Sequence, residues 1–115
     1  LHCVSSYPLN PEDTNFKKFF YLKKHFSKVG YSGHFHGIDD ACYAMANGAI
    51  LIEKHFTTDN NLQGRDNKFA LLPKDFALID KIRKIYKLFN NNKGLDLQAN
   101  EKDIYKNYRG RWIPN

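Results

Sequence analysis

The chain has 115 residues, of which 42% are hydrophobic and 15% aromatic; this is the size of one ordinary domain, too rich in core-forming side chains for a disordered segment. Its two cysteines form no CxxC pair, which argues against a disulfide framework or a four-thiolate zinc site and points to a reducing, cytoplasmic setting. The formal charge of +6 invites an anionic partner, but Lys17, Lys18, Lys23, Lys24, Lys74, Lys81, Lys84 and Lys87 are spaced like the wet faces of two amphipathic helices, so nucleic acid is not expected.

Leu1 to Ser5 predicts a first strand, and the chain enters it as if in mid-fold, with no methionine and no signal-like order of residues. Tyr7-Pro8-Leu9-Asn10-Pro11 is a loop, after which Asp13 is placed to cap a helix carrying Phe16, Phe19, Phe20 and Phe26. Val29 to Ser32 predicts a second strand, and Gly33-His34-Phe35-His36-Gly37 a functional loop. Ile38, Ala41, Cys42, Met45, Ala46 and Ala49 then recur at helical spacing, with Asp39 at the start and Gly48 near the end. Ile50 to Phe56 predicts a third strand, and the polar stretch from Thr57 to Lys68 a loop. Pro73 opens the clearest helix, with Leu78, Ile82, Ile85 and Phe89 as its stripe and Ile79 and Tyr86 flanking it. Asn90 to Gly94 ends it, and Glu101 to Tyr108 predicts a short last helix before Arg109-Gly110-Arg111-Trp112. No run of about 18 apolar residues predicts a membrane span.

Three strand–helix units in succession imply parallel strands with right-handed crossovers, an α/β class. An all-parallel sheet this small is normally part of something larger. A (β/α)8 barrel needs about 250 residues, so the chain is expected to supply its C-terminal portion, about three units.

In such a barrel, chemistry gathers at the carboxyl ends of the strands. All three predicted strands end in polar residues: Ser5 and Tyr7, Ser32 and His34, Glu53 and His55, each pair sharing a face by the period of two. Two imidazoles on neighbouring strands can hold a divalent ion and leave its other positions open, although strand-end histidines also serve structural roles. His25 reads as exposed, His2 as a hydrogen-bonded interior group, His36 as loop, and Cys3 and Cys42 as core residues. Within Asn61 to Lys68, Asp66 is either part of an ordinary turn or an acceptor for a polyhydroxylated ligand. Neither GxGxxG nor GxxxxGK[ST] occurs.

His2-Cys3-Val4-Ser5-Ser6-Tyr7-Pro8, Val29-Gly30-Tyr31-Ser32-Gly33-His34, Gly48-Ala49 through Ile52-Glu53-Lys54-His55-Phe56-Thr57, and Gly64-Arg65-Asp66 resemble, in order and spacing, the N-acetylneuraminate (sialic acid) synthase family. The resemblance runs from Leu1 to about Arg111. It implies the C-terminal part of the catalytic (β/α)8 barrel over residues 1–111, with 112–115 as a tail. It implies condensation of phosphoenolpyruvate with N-acetylmannosamine or a related N-acyl aldose to a sialic-type acid and phosphate, in surface glycan biosynthesis. It also implies a divalent ion, Mn²⁺ or alternatively Mg²⁺ or Co²⁺, held by His34 and His55, with His34, His55 and Asp66 as catalytic residues. Ser5, Tyr7, Ser32 and Asp66 would contact substrate, and the full-length form would be a homodimer. Glu53 is expected, from strand parity, to support the metal site from below. Gly33, Ser5 and Phe35-His36 depart from residues common in the family and put the acyl-sugar contacts in question. The family's lysines for phosphoenolpyruvate and a catalytic glutamate lie on earlier strands, so the isolated chain is expected to be inactive. The alternatives are a stand-alone basic binding module and a truncated, inactive reading frame.

Overall fold

A computed structural model of the chain describes residues 1–108; the expected domain end at residue 111 and the tail 112–115 lie outside the described residues. The element order is β1 (His2–Cys3), α1 (Phe16–His25), β2 (Tyr31–Gly33), α2 (Asp39–Ala46), β3 (Ile52–Lys54), α3 (Pro73–Phe89) and α4 (Lys102–Tyr108). The strands form one parallel sheet in the order β1-β2-β3, with His2 opposite Tyr31, Cys3 opposite Ser32, and Gly33 opposite Lys54. This is the α/β arrangement the strand–helix alternation predicts.

The strands are shorter than their apolar runs. Beyond β1 the chain bends, with Ser6 N–H donating to Val4 O at 2.9 Å, and rejoins the ladder only at Leu9, whose N–H donates to His34 O at 3.0 Å. Residues 4 to 8 are thereby freed to form a wall of the site. The second strand runs Tyr31–Gly33 rather than Val29 to Ser32, although Val29 O and Gly30 O still accept ladder-like bonds from Ile50 and His2.

Asp13 does not cap α1. Pro11 starts a separate 3-10 turn over Pro11–Thr14, within which Asp13 accepts from Asn10 Nδ2 at 3.3 Å. The helix begins after Asn15, which sits in the left-handed region at φ 49°, a conformation that asparagine tolerates better than most residues. At α2, Gly48 at φ +82° closes a Schellman motif: Ala49 N–H reaches Ala44 O at 2.9 Å and Gly48 N–H reaches Met45 O at 3.0 Å. Asp75 accepts from the Leu72 N–H at 2.9 Å and so caps α3 ahead of Pro73.

The side chains of the sheet partition by parity. His2, Tyr31, Ile52 and Lys54 face the helices; Cys3, Ser32, Glu53 and His55 alternate with them and face the other way. On the helix side Phe19, Val29, Tyr31 and Ala44 form one buried cluster, and Ala41, Leu71 and Ile79 another, with Ile52 packed against both. Each large side chain buried there contributes roughly 1.5–3 kcal/mol. His2 is buried against Phe16, Phe19 and Tyr31, with Nε2 donating to Thr14 O at 2.8 Å. The α2 stripe includes Ala44, fully buried, where a purely apolar periodicity picked its neighbours. The α3 stripe is rotated: Ile79 is buried, whereas Leu78 and Phe89 are exposed, because α2 packs on α3 and Ile79 joins Ala41 and Leu71 in a cluster against which Ile52 and Phe76 also pack. Lys17, Lys18, Lys23 and Lys24 on α1, and Lys74, Lys81, Lys84 and Lys87 on α3, are exposed, as solvated helix faces require.

Candidate functional site

The carboxyl ends of β1, β2 and β3 lie side by side, and the residues just past them enclose a cavity of about 220 Å³ lined by Ser5, Tyr7, His34, His55, Arg65 and Asp66. Five of these six are residues the strand-end argument and the loop around Asp66 single out. Arg65 is the addition; an arginine beside Gly64 reads as an ordinary loop cation, and only the folding back of residues 58–70 brings it to the cavity.

That loop is held by its own amides. Asn60 Nδ2 donates to Asn67 O at 2.7 Å and to Ala70 O at 2.9 Å, and Asn67 Nδ2 to Leu62 O at 3.0 Å and Gln63 O at 3.1 Å. Leu71 then pairs beside the end of β3, its N–H donating to His55 O at 2.8 Å and its carbonyl accepting from Thr57 N–H at 3.0 Å. Asp66 is carried in this way to His55, whose Nδ1 lies 3.5 Å from Asp66 Oδ2.

His34 is oriented from behind. Its Nδ1 lies 2.7 Å from Val4 O, and because a carbonyl only accepts, Nδ1 carries a proton, which in the neutral imidazole leaves the lone pair on Nε2. Cys3 Sγ lies 4.0 Å from the same nitrogen. The His34 and His55 rings are 5.2 Å apart, centroid to centroid, at 81°. A metal–nitrogen bond of about 2.1 Å would place the centroids of two imidazoles sharing one tetrahedral ion about 5 Å apart, the separation of this pair. Among the described residues no group of three or more His, Cys, Asp or Glu side chains is placed to hold a metal. Two protein nitrogens would leave the remaining coordination positions to water and substrate, the open arrangement of a catalytic rather than a structural site.

Tyr7 closes the cavity against both imidazoles, stacked on His55 at 4.6 Å and edge-on to His34 at 5.3 Å, with Phe69 against its far edge at 5.4 Å. Burial, then the negative charges of Asp66 and Asp40, push its phenol up to about 12, so at neutral pH it is a hydrogen-bond donor. Ser5 is exposed at the rim, with Oγ 3.7 Å from Cys3 Sγ.

Ser32 and Glu53 are not among the lining residues. Ser32 is buried one step deeper and its hydroxyl donates to Glu53 Oε1 at 2.6 Å. Glu53 shares the His55 face, as parity requires, and its hydrogen bond goes to Ser32 rather than to either histidine. Cys3 and Cys42 are free and half-buried, His25 and His36 exposed.

The least legible group is Lys54. Its side chain and that of Asp40 are each 2% exposed and pair at 2.7 Å, on the helix side of the sheet directly behind the site. A lysine between Glu53 and His55 reads as a solvated charge, and only the alternation of the strand, with Asp40 in the first turn of α2, signals otherwise.

The sequence pattern of the NeuB family matches residues 1–94. The chain is 38% identical over 106 residues to the N,N'-diacetyllegionaminic acid synthase of Campylobacter jejuni, covering 90% of this chain and 32% of that protein. It is 40% identical over 86 residues to the human N-acetylneuraminate-9-phosphate synthase, covering 72% of this chain and 24% of that one. Among solved structures, the N-acetylneuraminic acid (sialic acid) synthetase of Leptospira borgpetersenii superposes with a TM-score of 0.75 at 36% identity, over 96% of this chain and 39% of that one. The chain thus spans a quarter to two fifths of these relatives' lengths. No helix among the described residues is long and apolar enough to cross a membrane. The match over residues 1–94, together with these likenesses, shows that the chain belongs to the NeuB family of sialic-acid-type synthases.

Proposed function

We propose that the chain forms the C-terminal strand–helix units of a (β/α)8 barrel that condenses phosphoenolpyruvate with N-acetylmannosamine or a related N-acyl aldose, yielding a sialic-type acid and phosphate. The observation that carries this reading is the pair of imidazoles at the ends of adjacent parallel strands, 5.2 Å apart, with the Nε2 lone pair of His34 set free by its Nδ1 bond to Val4. The sequential order of the three parallel strands supports the barrel, as does their opposition of a helix-packed face to a polar one.

His34 and His55 would hold a divalent ion, most simply Mn²⁺. When bound, that ion supplies Lewis acidity toward an aldehyde oxygen and orients water. The chain's own groups do the rest. Tyr7, protonated at neutral pH, screens His55 from bulk water and offers its hydroxyl as a donor. Asp66 accepts hydrogen bonds from sugar hydroxyls, and Arg65 offers a planar fork to a carboxylate or phosphate at the cavity mouth. Ser5 offers a small hydroxyl at the rim, whereas Ser32, committed to Glu53, reaches substrate only if that bond opens.

The test is Mn²⁺ binding by the protein, followed as loss of the free-ion paramagnetic resonance signal, in the parent and in His55→Ala. The expected result is saturable binding abolished by the substitution; unchanged binding in His55→Ala would remove the metal assignment. Product formation from phosphoenolpyruvate and N-acetylmannosamine by the protein in its complete form, absent in the same variant, tests the reaction class.

A further inference from the structure

We infer that Lys54 and Asp40 form a buried latch that sets the distance between the two imidazoles, making Lys54 a positioning residue for the metal site; the inference rests on the metal reading above. In the parallel ladder Gly33 is opposite Lys54, so the next residue on each strand is a site histidine, His34 or His55. Gly33 and Lys54 both turn toward the helices, and there they converge on one carboxylate. Lys54 Nζ donates to Asp40 Oδ1 at 2.7 Å, while a Cβ on Gly33 would overlap Asp40 Oδ2.

The same ammonium donates to Phe35 O at 2.6 Å and to Gly37 O at 2.8 Å. These carbonyls lie within three residues after His34, so a residue adjacent to His55 is fastened to the segment adjacent to His34. All three ammonium hydrogens are spent on the protein, and none is left for water. Asp40 is itself pinned, Oδ1 accepting from its neighbour Ala41 N–H at 2.8 Å and Oδ2 from the Tyr31 hydroxyl at 3.0 Å. A surface ion pair would tie the strands loosely; a pair 2% exposed on each side, with every hydrogen bond made, holds one geometry.

Groups behind metal ligands typically cost tenfold to a hundredfold in metal affinity when removed. The test replaces the pair by apolar residues of similar size, Lys54→Met with Asp40→Leu, so that neither charge is left buried without its partner. Thermal midpoint and Mn²⁺ affinity are measured on the full protein. The expected result is a variant that still unfolds cooperatively, with a midpoint lowered by the loss of the Tyr31 bond, and an affinity weaker by roughly tenfold or more. Parental affinity in the folded double variant overturns the latch and leaves the metal site standing, whereas a parent that binds no Mn²⁺ overturns the site itself. If the double variant does not fold, Asp40→Asn decides. It keeps the shape and an acceptor oxygen but not the charge. A lowered midpoint with unchanged affinity would then make the pair merely structural and overturn the latch, while weakened affinity supports it.

Discussion

Gly33→Ala adds a single methyl group at the most crowded point behind the site. Its backbone lies outside the left-handed region, so conformation does not demand glycine; space does. The new Cβ would overlap Asp40 Oδ2 and come within 2.6 Å of Tyr31 Cε1, both in buried side chains bonded to each other. Aspartate is short and held at both oxygens, so it cannot swing aside without giving up a bond. Overpacking of this kind costs about 1–3 kcal/mol, and losing the Tyr31 hydrogen bond to a charged acceptor about 1.5–3 kcal/mol more. The total of about 2.5–6 kcal/mol is a large share of the roughly 5–15 kcal/mol that holds a domain together. Urea unfolding followed by circular dichroism at helical wavelengths, repeated with Gly33→Ala in an Asp40→Ala background, measures it. If the overlap is the cause, the alanine at 33 costs much less once the carboxylate is gone, a coupling visible as non-additivity. A cost below about 1 kcal/mol in the parent, smaller than any overpacking of this kind, or the same cost in both backgrounds, would refute the steric account.

Two further outcomes follow from the packed face. Phe19 is fully buried between His2, Phe16 and Phe20, so Phe19→Ala should destabilise by about 3–5 kcal/mol, read as a shift of the urea midpoint at unchanged slope. Burial and the nearby Asp40 charge raise the phenol of Tyr31, and burial and Asp66 raise that of Tyr7 to about 12. The unfolded chain therefore releases these protons first, from about pH 10, so the contribution of these two phenols to stability should be constant below that and fall as pH rises above it. Tyr31→Phe, which leaves the Lys54 ammonium in place, should flatten the alkaline fall; an unchanged slope would contradict the assignment. Ultraviolet titration should show two of the seven tyrosines, Tyr7 and Tyr31, ionising late.

Helices are legible where one face repeats: Pro73 marks the start of α3, and Gly48 marks the end of α2, each by a single physical device. Strand lengths are not, because an apolar run states what is buried and not where the ladder closes; Val4 is apolar yet its carbonyl leaves the ladder to orient His34. The cap of α1 was misassigned for a similar reason. Asp13 has the right chemistry, but Pro11 commits it to a turn of its own, and the reversal at Asn15 depends on a backbone conformation that composition does not reveal. The cavity residues could be found by strand parity, because Tyr7, His34 and His55 all follow strand ends. Arg65 could not, since its place depends on two asparagine side chains closing a loop over ten residues.

The alternation that made His34 and His55 visible also hid what stands behind them. In a strand, a ligand's position is fixed by the backbone, and the backbone is fixed by neighbours of opposite parity, which point away from the site. For β2 and β3 those neighbours are Gly33 and Lys54, one with no side chain and one with a long stem. Their sizes are complementary: the space above Gly33 admits the carboxylate of Asp40, and the length of Lys54 lets its ammonium reach that carboxylate and the two carbonyls beyond His34. Neither residue is informative alone, since glycine before a histidine reads as loop and lysine before a histidine reads as surface. Read as a register pair, they place a buried charge directly behind two imidazoles. The cost of burying that charge is offset only where its three donors are all satisfied, which is the condition that also leaves the strand ends a single relative position.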